Sequence, residues 1–315
     1  MNTNSCCVYL GEKLANYNFG ENHPFGPMRY HAFEQAFYQQ ALEQKVDILS
    51  PVISTRETLA LFHSDEYLDM LIEKSKFGVG YLDQGDTPAF IGIYEAACYV
   101  AGSVIDAVDQ LMNERYKKAF IPIAGLHHAR RDRAAGFCAI NDCGIAIETL
   151  FNQYGLSRVA YVDIDAHHGD GVYYSFEEDP RLIFADLHED GKFLYPGTGA
   201  ISEIGKGEAA GRKLNVPMPP YADDALFFKM WPLLEKFVVK HQPEFILLQC
   251  GADSIKGDPI TQLSYSEKAH AHATRRLVEI ADRFCGGKIL VMGGGGYNLD
   301  NIARTWTAVV NALSE

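Results

Sequence analysis

Five residues of metal-binding or proton-shuttling type stand within eight positions of one run, Tyr161-Val-Asp-Ile-Asp-Ala-His-His-Gly-Asp-Gly171. They are Asp163, Asp165, His167, His168 and Asp170, and they follow an apolar stretch, 159–162, that reads as a buried strand. A strand end is where an α/β sheet places its chemistry. A plain turn there commonly holds one or two acids that cap the next helix, but rarely three acids with two histidines. The pattern points to metal binding or acid–base catalysis.

Three other apolar runs end the same way. Residues 119–124 lead into Gly125-Leu-His127-His128, 244–250 into Gly251-Ala-Asp253, and 288–292 into Gly293-Gly-Gly-Gly296-Tyr297. Asp165, His167 and Asp253 supply one imidazole and two carboxylates. Three protein ligands with an open position suit a catalytic zinc, which brings the pKa of bound water toward ~7. Alternation along an extended chain would put Asp165 and His167 on one side and Ala166 on the other. His127 and His128 could act as a general base and an electrostatic partner, with Asp163 and Asp170 as spare carboxylates to fix their tautomers. Two surface histidines are the plainer reading of the dipeptide. Tyr297 could donate a hydrogen bond to a developing oxyanion. Its glycine loop does not fit GxGxxG, because Asn298 holds the last glycine position, and no Walker lysine follows, so no nucleotide site is expected.

The elements that must position these residues follow from hydropathy. Strand-like runs span 6–10, 119–124, 158–165, 181–188, 244–250 and 288–292, with helical patterns over 91–112, 225–241 and 301–313. Ser264-Tyr-Ser-Glu267 reads as a capping box ahead of a helix to about residue 284. Alternating strands and helices predict an α/β fold, a mostly parallel sheet with helices on both faces. No repeat or linker divides residues 1–315, which read as one domain with ample apolar content, 47%, for a large core. Seven irregularly spaced cysteines without a CxxC pair argue against a disulfide framework and for the reducing cytoplasm. No signal peptide or membrane-length apolar run is evident, so a soluble protein with no membrane partner is expected. A net charge of −13, with only Lys117-Lys118 and Arg130-Arg131-Asp-Arg133 as basic clusters, weighs against nucleic acid.

With these residues in view, the chain resembles the zinc-dependent histone deacetylase superfamily, including its bacterial acetoin-utilisation-type members. The matching motifs are Gly125-Leu-His-His-Ala-Arg-Arg-Asp-Arg-Ala-Ala-Gly-Phe-Cys-Ala-Ile-Asn-Asp142, the run from Tyr161 to Gly171, Tyr195-Pro-Gly-Thr-Gly199, Gly251-Ala-Asp-Ser-Ile-Lys-Gly-Asp-Pro259 and Gly293-Gly-Gly-Gly-Tyr-Asn298, with His23-Pro-Phe-Gly-Pro-Met-Arg29 as an entry motif. The resemblance covers essentially the whole chain. It implies a single histone-deacetylase-like catalytic domain over 1–315 with the arginase/deacetylase fold. The sheet would have about eight strands, a count periodicity alone does not give.

The resemblance further implies that Asp165, His167 and Asp253 bind Zn²⁺, although Fe²⁺ accepts the same ligands. His127 would pair with Asp163 and His128 with Asp170. Zinc and Tyr297 would polarise an amide carbonyl under attack by Zn-activated water. His128 would be general base and then acid to the leaving amine, His127 mainly electrostatic. Gly136, Phe137 and Tyr195 would line a narrow tube for an acyl-lysine chain. Asp86 would hold the substrate backbone at the rim, and Arg29 would sit deep near an acetate exit, where a buried salt bridge would explain it equally well.

Two positions depart from the better-known members. Asp186 stands where many relatives have serine beside a structural potassium, so the K⁺ site expected near Asp163, Asp165, His167 and Asp186 carries an extra carboxylate. Ile260 falls where polyamine-selective relatives have glutamate, which argues against a polyamine gatekeeper. The expected activity is a metal-dependent amidohydrolase removing acetyl, or a related short acyl group, from acyl-lysine in a protein or peptide, or from a similar amine. Small acetylated amines such as polyamines are the alternative substrates. A two-manganese ureohydrolase would need Asp-x-His-x-Asp, and Asp165-Ala-His-His-Gly-Asp170 places the last acid one residue too far. A non-catalytic protein keeping the fold would have lost a ligand or the tyrosine, and all are present. Oligomeric state leaves no trace in the sequence.

Overall fold

Uninterrupted apolar runs build the centre of one eight-stranded sheet in the computed structural model, which describes residues 5–315; residues 1–4 of the expected domain lie outside the described residues. The strands are β1 Cys6–Tyr9, β2 Asp47–Leu49, β3 Lys118–Ile121, β4 Val159–Asp163, β5 Leu182–Glu189, β6 Lys213–Met218, β7 Phe245–Gln249 and β8 Ile289–Met292. Their order is β2-β1-β3-β8-β7-β4-β5-β6, and every pairing is parallel. All residues of β3, β4, β5, β7 and β8 are buried, as strands covered on both faces must be.

Helices Met28–Gln39, Glu267–Phe284 and Leu299–Ser314 pack on one another as one cover, and Ile93–Met112 packs with Asp142–Asn152 in the other. The two strands that periodicity does not reveal are the sheet edges. β2 has only three residues, and β6 mixes Lys213, Asn215 and Pro217 into its apolar pattern. Proline is tolerated there because an edge strand has no ladder partner on one side.

The expected capping box is displaced by two residues. Ser266, not Ser264, caps Glu267–Phe284, accepting from the Lys268 N–H. The Asp224 carboxylate takes the Ser266 N–H at 2.7 Å and its hydroxyl at 2.5 Å, which ties this helix start to helix Asp224–His241. Ser264 instead lies extended, bridged to Asp223. Part of the two basic clusters is engaged within the chain, while Arg133 stays exposed. Lys118 is buried and donates to the Leu313 carbonyl, Arg130 pairs with Asp170, and Arg131 with Glu148. The seven cysteines are all unpaired and buried. No described helix is long and apolar enough to cross a membrane.

Candidate active site

Strand order makes the site. β3, β8, β7 and β4 are consecutive in the sheet, so the four motifs that follow them meet at one edge. Asp165 and His167 lie beyond the end of β4 rather than on it, so strand alternation does not explain their convergence. A bend does: His167 donates its backbone N–H to Asp165 Oδ1, and its Nδ1 sits 3.1 Å from that oxygen and 3.0 Å from Asp253 Oδ2. Asp253 comes from a short 3-10 turn, Ala252–Ser254, after β7.

The three donor atoms lie within 4.8 Å of one another and all three residues are buried. The remaining carboxylate valences are filled by Gln249 Nε2 and the Gly295 N–H on Asp165 Oδ2, and by the Ala166 N–H on Asp253 Oδ1. A side chain at Gly251 or Gly295 would overlap these carboxylates. Burial pushes Asp253 up to about 7, reinforced by the charge of Asp165. Burial pulls the His167 imidazole down, but hydrogen bonds and charges of both aspartates carry it up to about 10. Two buried carboxylates crowded on one imidazole need a cation, and the donor set fits a divalent ion with an open position.

The two histidines pair as expected. His127 Nδ1 is 2.8 Å from Asp163 Oδ2, and His128 Nδ1 is 2.7 Å from Asp170 Oδ1. Their Nε2 atoms face each other at 3.1 Å. The carboxylates are not equivalent. Asp163 is supported by the neutral Tyr161 hydroxyl at 2.6 Å, whereas Asp170 shares its charge with Arg130 at 2.7 Å. Burial lowers His127, but the charges of Asp163 and Asp165 raise it to about 9. Burial and the neighbouring His127 push His128 down to about 4 despite Asp170. At neutral pH His128 therefore has an unprotonated Nε2 that can accept a proton, and His127 is the protonated partner facing it.

His127, His128, Gly136, Asp165, His167 and Tyr297 share a cavity of about 20 Å³, room for one small group. Phe137 packs edge-on against Tyr297 at 5.8 Å, and Tyr195 against His128 at 5.1 Å. A Cβ on Gly136 would lie 2.5 Å from the His128 ring, so only glycine leaves the wall open. Tyr195 and Asp86 continue into a wider rim cleft of about 420 Å³. Ile260 is partly exposed on the loop after Asp258. Burial holds the Tyr297 hydroxyl well above its ordinary pKa, so it stays a donor.

Arg29 departs from the salt-bridge reading. Its guanidinium is buried and donates to the carbonyls of Gly296 at 2.7 Å and Gly294 at 2.6 Å, stacking over Phe25, and one terminal nitrogen has no partner. It holds the Tyr297 loop through backbone oxygens, not through a carboxylate.

Several supporting residues escaped the sequence reading. Asp142 accepts the Gly125 and Leu126 N–H groups at 2.8 and 2.7 Å and so sets the loop before His127. Asp258 accepts the Tyr297 N–H at 2.8 Å. Thr87, fully buried, accepts the Phe137 N–H at 3.0 Å and donates to Asp83, whose carboxylate also gathers the N–H groups of Gly85, Asp86 and Thr87. Gln249 had a legible signal, a lone amide at the end of an apolar strand, which must find partners if buried. The others depend on tertiary contacts.

A parallel α/β sheet that gathers an Asp-His-Asp cluster, two carboxylate-bound imidazoles and a tyrosine at one edge has the build of a hydrolase of the arginase/deacetylase fold. Residues 23–313 match the histone deacetylase domain, and the chain belongs to that family of hydrolytic deacetylases. Acetoin utilization protein AcuC of Bacillus subtilis is 33% identical over 305 residues, covering 93% of this chain and 78% of AcuC. Histone deacetylase RPD3 of Saccharomyces cerevisiae is 33% identical over 306 residues, covering 93% of this chain and 68% of RPD3. Among solved structures, the HDA15 HD domain superposes with a TM-score of 0.89 at 27% identity, covering 98% of this chain and 88% of the other.

Proposed function

We propose that residues 1–315 form one catalytic domain, a metal-dependent amidohydrolase that removes acetyl or a related short acyl group from acyl-lysine in a protein or peptide. The observation that carries this reading is the buried Asp165–His167–Asp253 cluster beside the facing Nε2 atoms of His127 and His128. Zn²⁺ or Fe²⁺ bound by that cluster would polarise the amide carbonyl and acidify a water. Tyr297 donates to the oxygen of the polarised carbonyl, where negative charge develops. His128 Nε2 takes a proton from the attacking water and returns it to the leaving amine, with Asp170 holding its Nδ1–H. His127, fixed by Asp163, stabilises negative charge as a cation.

Gly136, Phe137 and Tyr195 sheathe the aliphatic part of the lysine. Asp86 engages the substrate backbone at the rim, and Arg29 stands behind the Tyr297 loop near the departing acetate. Apolar Ile260 favours a lysine chain over a polyamine. Unpaired buried cysteines support a cytoplasmic setting. The test is hydrolysis of an acetyl-lysine peptide bearing a fluorogenic leaving group, with and without a hydroxamate chelator. Hydroxamate-sensitive turnover is expected. Absence of turnover with the metal verified as bound would reject acyl-lysine peptides as substrates and redirect the search to small acetylated amines.

A further inference from the structure

One wall of the tube is built on a backbone conformation that phenylalanine rarely adopts, and two buried hydroxyls hold it there. Ala135 and Cys138 exchange N–H and carbonyl groups at 3.2 and 2.9 Å, which closes a two-residue hairpin turn over Gly136 and Phe137. Both central residues are left-handed, with φ of 54° and 66°. Hairpin turns of this form favour glycine or asparagine at such positions, because a Cβ crowds the following carbonyl oxygen. Phe137 takes on that strain with its ring at the tube, edge-on to Tyr297 at 5.8 Å and to His23 at 4.6 Å. A turn relaxed to negative φ would re-aim the ring.

What opposes relaxation lies on either side of the strained residue. The Phe137 N–H donates to Thr87 Oγ1 at 3.0 Å. The Phe137 carbonyl accepts from the Tyr17 hydroxyl at 2.9 Å, and the same hydroxyl accepts the Ala139 N–H at 2.7 Å. Tyr17 thus spends its one hydroxyl hydrogen and a lone pair on two backbone groups two residues apart. Neither residue 137 nor 139 lies in a helix or a strand, so Tyr17 supplies the partner that secondary structure does not. The Tyr17 ring is itself buried and packs edge-on against Phe19 at 5.8 Å and Phe25 at 5.5 Å, which fixes where its hydroxyl points.

We infer that Tyr17 is a positioning residue for the substrate chain: its hydroxyl, opposite that of Thr87, locks Phe137 in the left-handed turn and so keeps the tube narrow. This role presupposes the proposed function, in which Phe137 sheathes the lysine methylenes.

The test titrates the zinc-loaded wild type and Tyr17→Phe with two hydroxamates, one on an aliphatic chain of lysine length and the other acetohydroxamate, which reaches only the metal. The long hydroxamate should bind the variant about tenfold more weakly, the scale of about two methylenes losing their apolar wall, with acetohydroxamate affinity unchanged. Equal losses for both, or none for either, overturn the inference. A wild type that binds neither compound overturns the metal-site reading instead, and stability then decides the lock. Tyr17→Phe should lower the urea midpoint of the wild type more than that of Phe137→Gly, because glycine takes the left-handed turn without strain. Equal shifts in the two backgrounds overturn the lock. If Tyr17→Phe does not fold, amide exchange of the wild type decides. The Phe137 and Ala139 N–H groups should exchange as slowly as those of β3, and fast exchange overturns the lock.

Discussion

Two adjacent histidines with the same partner type end up in opposite protonation states, because both are desolvated but His127 lies against the charges of Asp163 and Asp165, whereas His128 lies beside a charged His127. Asp170 also pairs with Arg130, while Asp163 accepts from the Tyr161 hydroxyl. His128 is depressed to about 4, so it is available as a base above that pH. Arg130→Gln frees the full charge of Asp170, raises His128, and should move the acidic limb of the kcat/KM profile to higher pH. An unmoved limb would separate His128 from the rate. Tyr297→Phe should keep metal and fold while turnover falls by roughly 10²-fold or more, the scale of one lost oxyanion donor; full activity would remove Tyr297 from the mechanism. Asp253→Ala should lose bound metal, measured by elemental analysis of the purified protein.

Between elements, two contacts set what the site can tolerate. Thr87 links the rim turn gathered by Asp83 to the backbone of Phe137, so rim and tube wall are tied by one hydroxyl. Thr87→Val keeps the volume but leaves the Phe137 N–H without its acceptor. The expected result is a raised KM with kcat changed less, and a proportionate fall in kcat alone would contradict it. Farther away, helix Ile93–Met112 approaches the segment 52–54 at Gly102, where a Cβ would overlap the Val52 carbonyl. Gly102→Ala should cost about 1–3 kcal/mol as overpacking, read as a lower urea midpoint, with the active-site metal still bound.

At the scale of the whole molecule, metal and stability are linked. Zinc at a hundred times its Kd should add about 2.7 kcal/mol to the folded state, visible as a raised Tm. Affinity should depend on pH, because the metal-free His167 is protonated, its pKa carried up to about 10. Zinc must displace that proton, so binding should weaken as pH falls, by about tenfold per unit for one proton. Chelator competition at pH 6 and 8 measures it, and a pH-independent Kd would mean that His167 binds no proton in the metal-free site.

The sequence by itself determined the donors and the strands that carry them. Asp165, His167, Asp253, His127, His128 and Tyr297 each follow an apolar run, and side-chain chemistry and hydropathy period are local properties. Tertiary structure decided what no local pattern encodes. Strand order is a choice among distant pairings, and only it makes β3, β8, β7 and β4 neighbours. The edge strands lacked a legible signal because β2 is only three residues long, and because β6 buries Lys213 and Asn215, whose polar ends find carbonyls elsewhere in the chain. Ser266 won the helix cap through Asp224, forty-two positions away in the chain. Arg29 found carbonyls where a carboxylate was equally legible. A buried charge takes whichever partner the packed chain brings within hydrogen-bond reach, and that is settled by the fold.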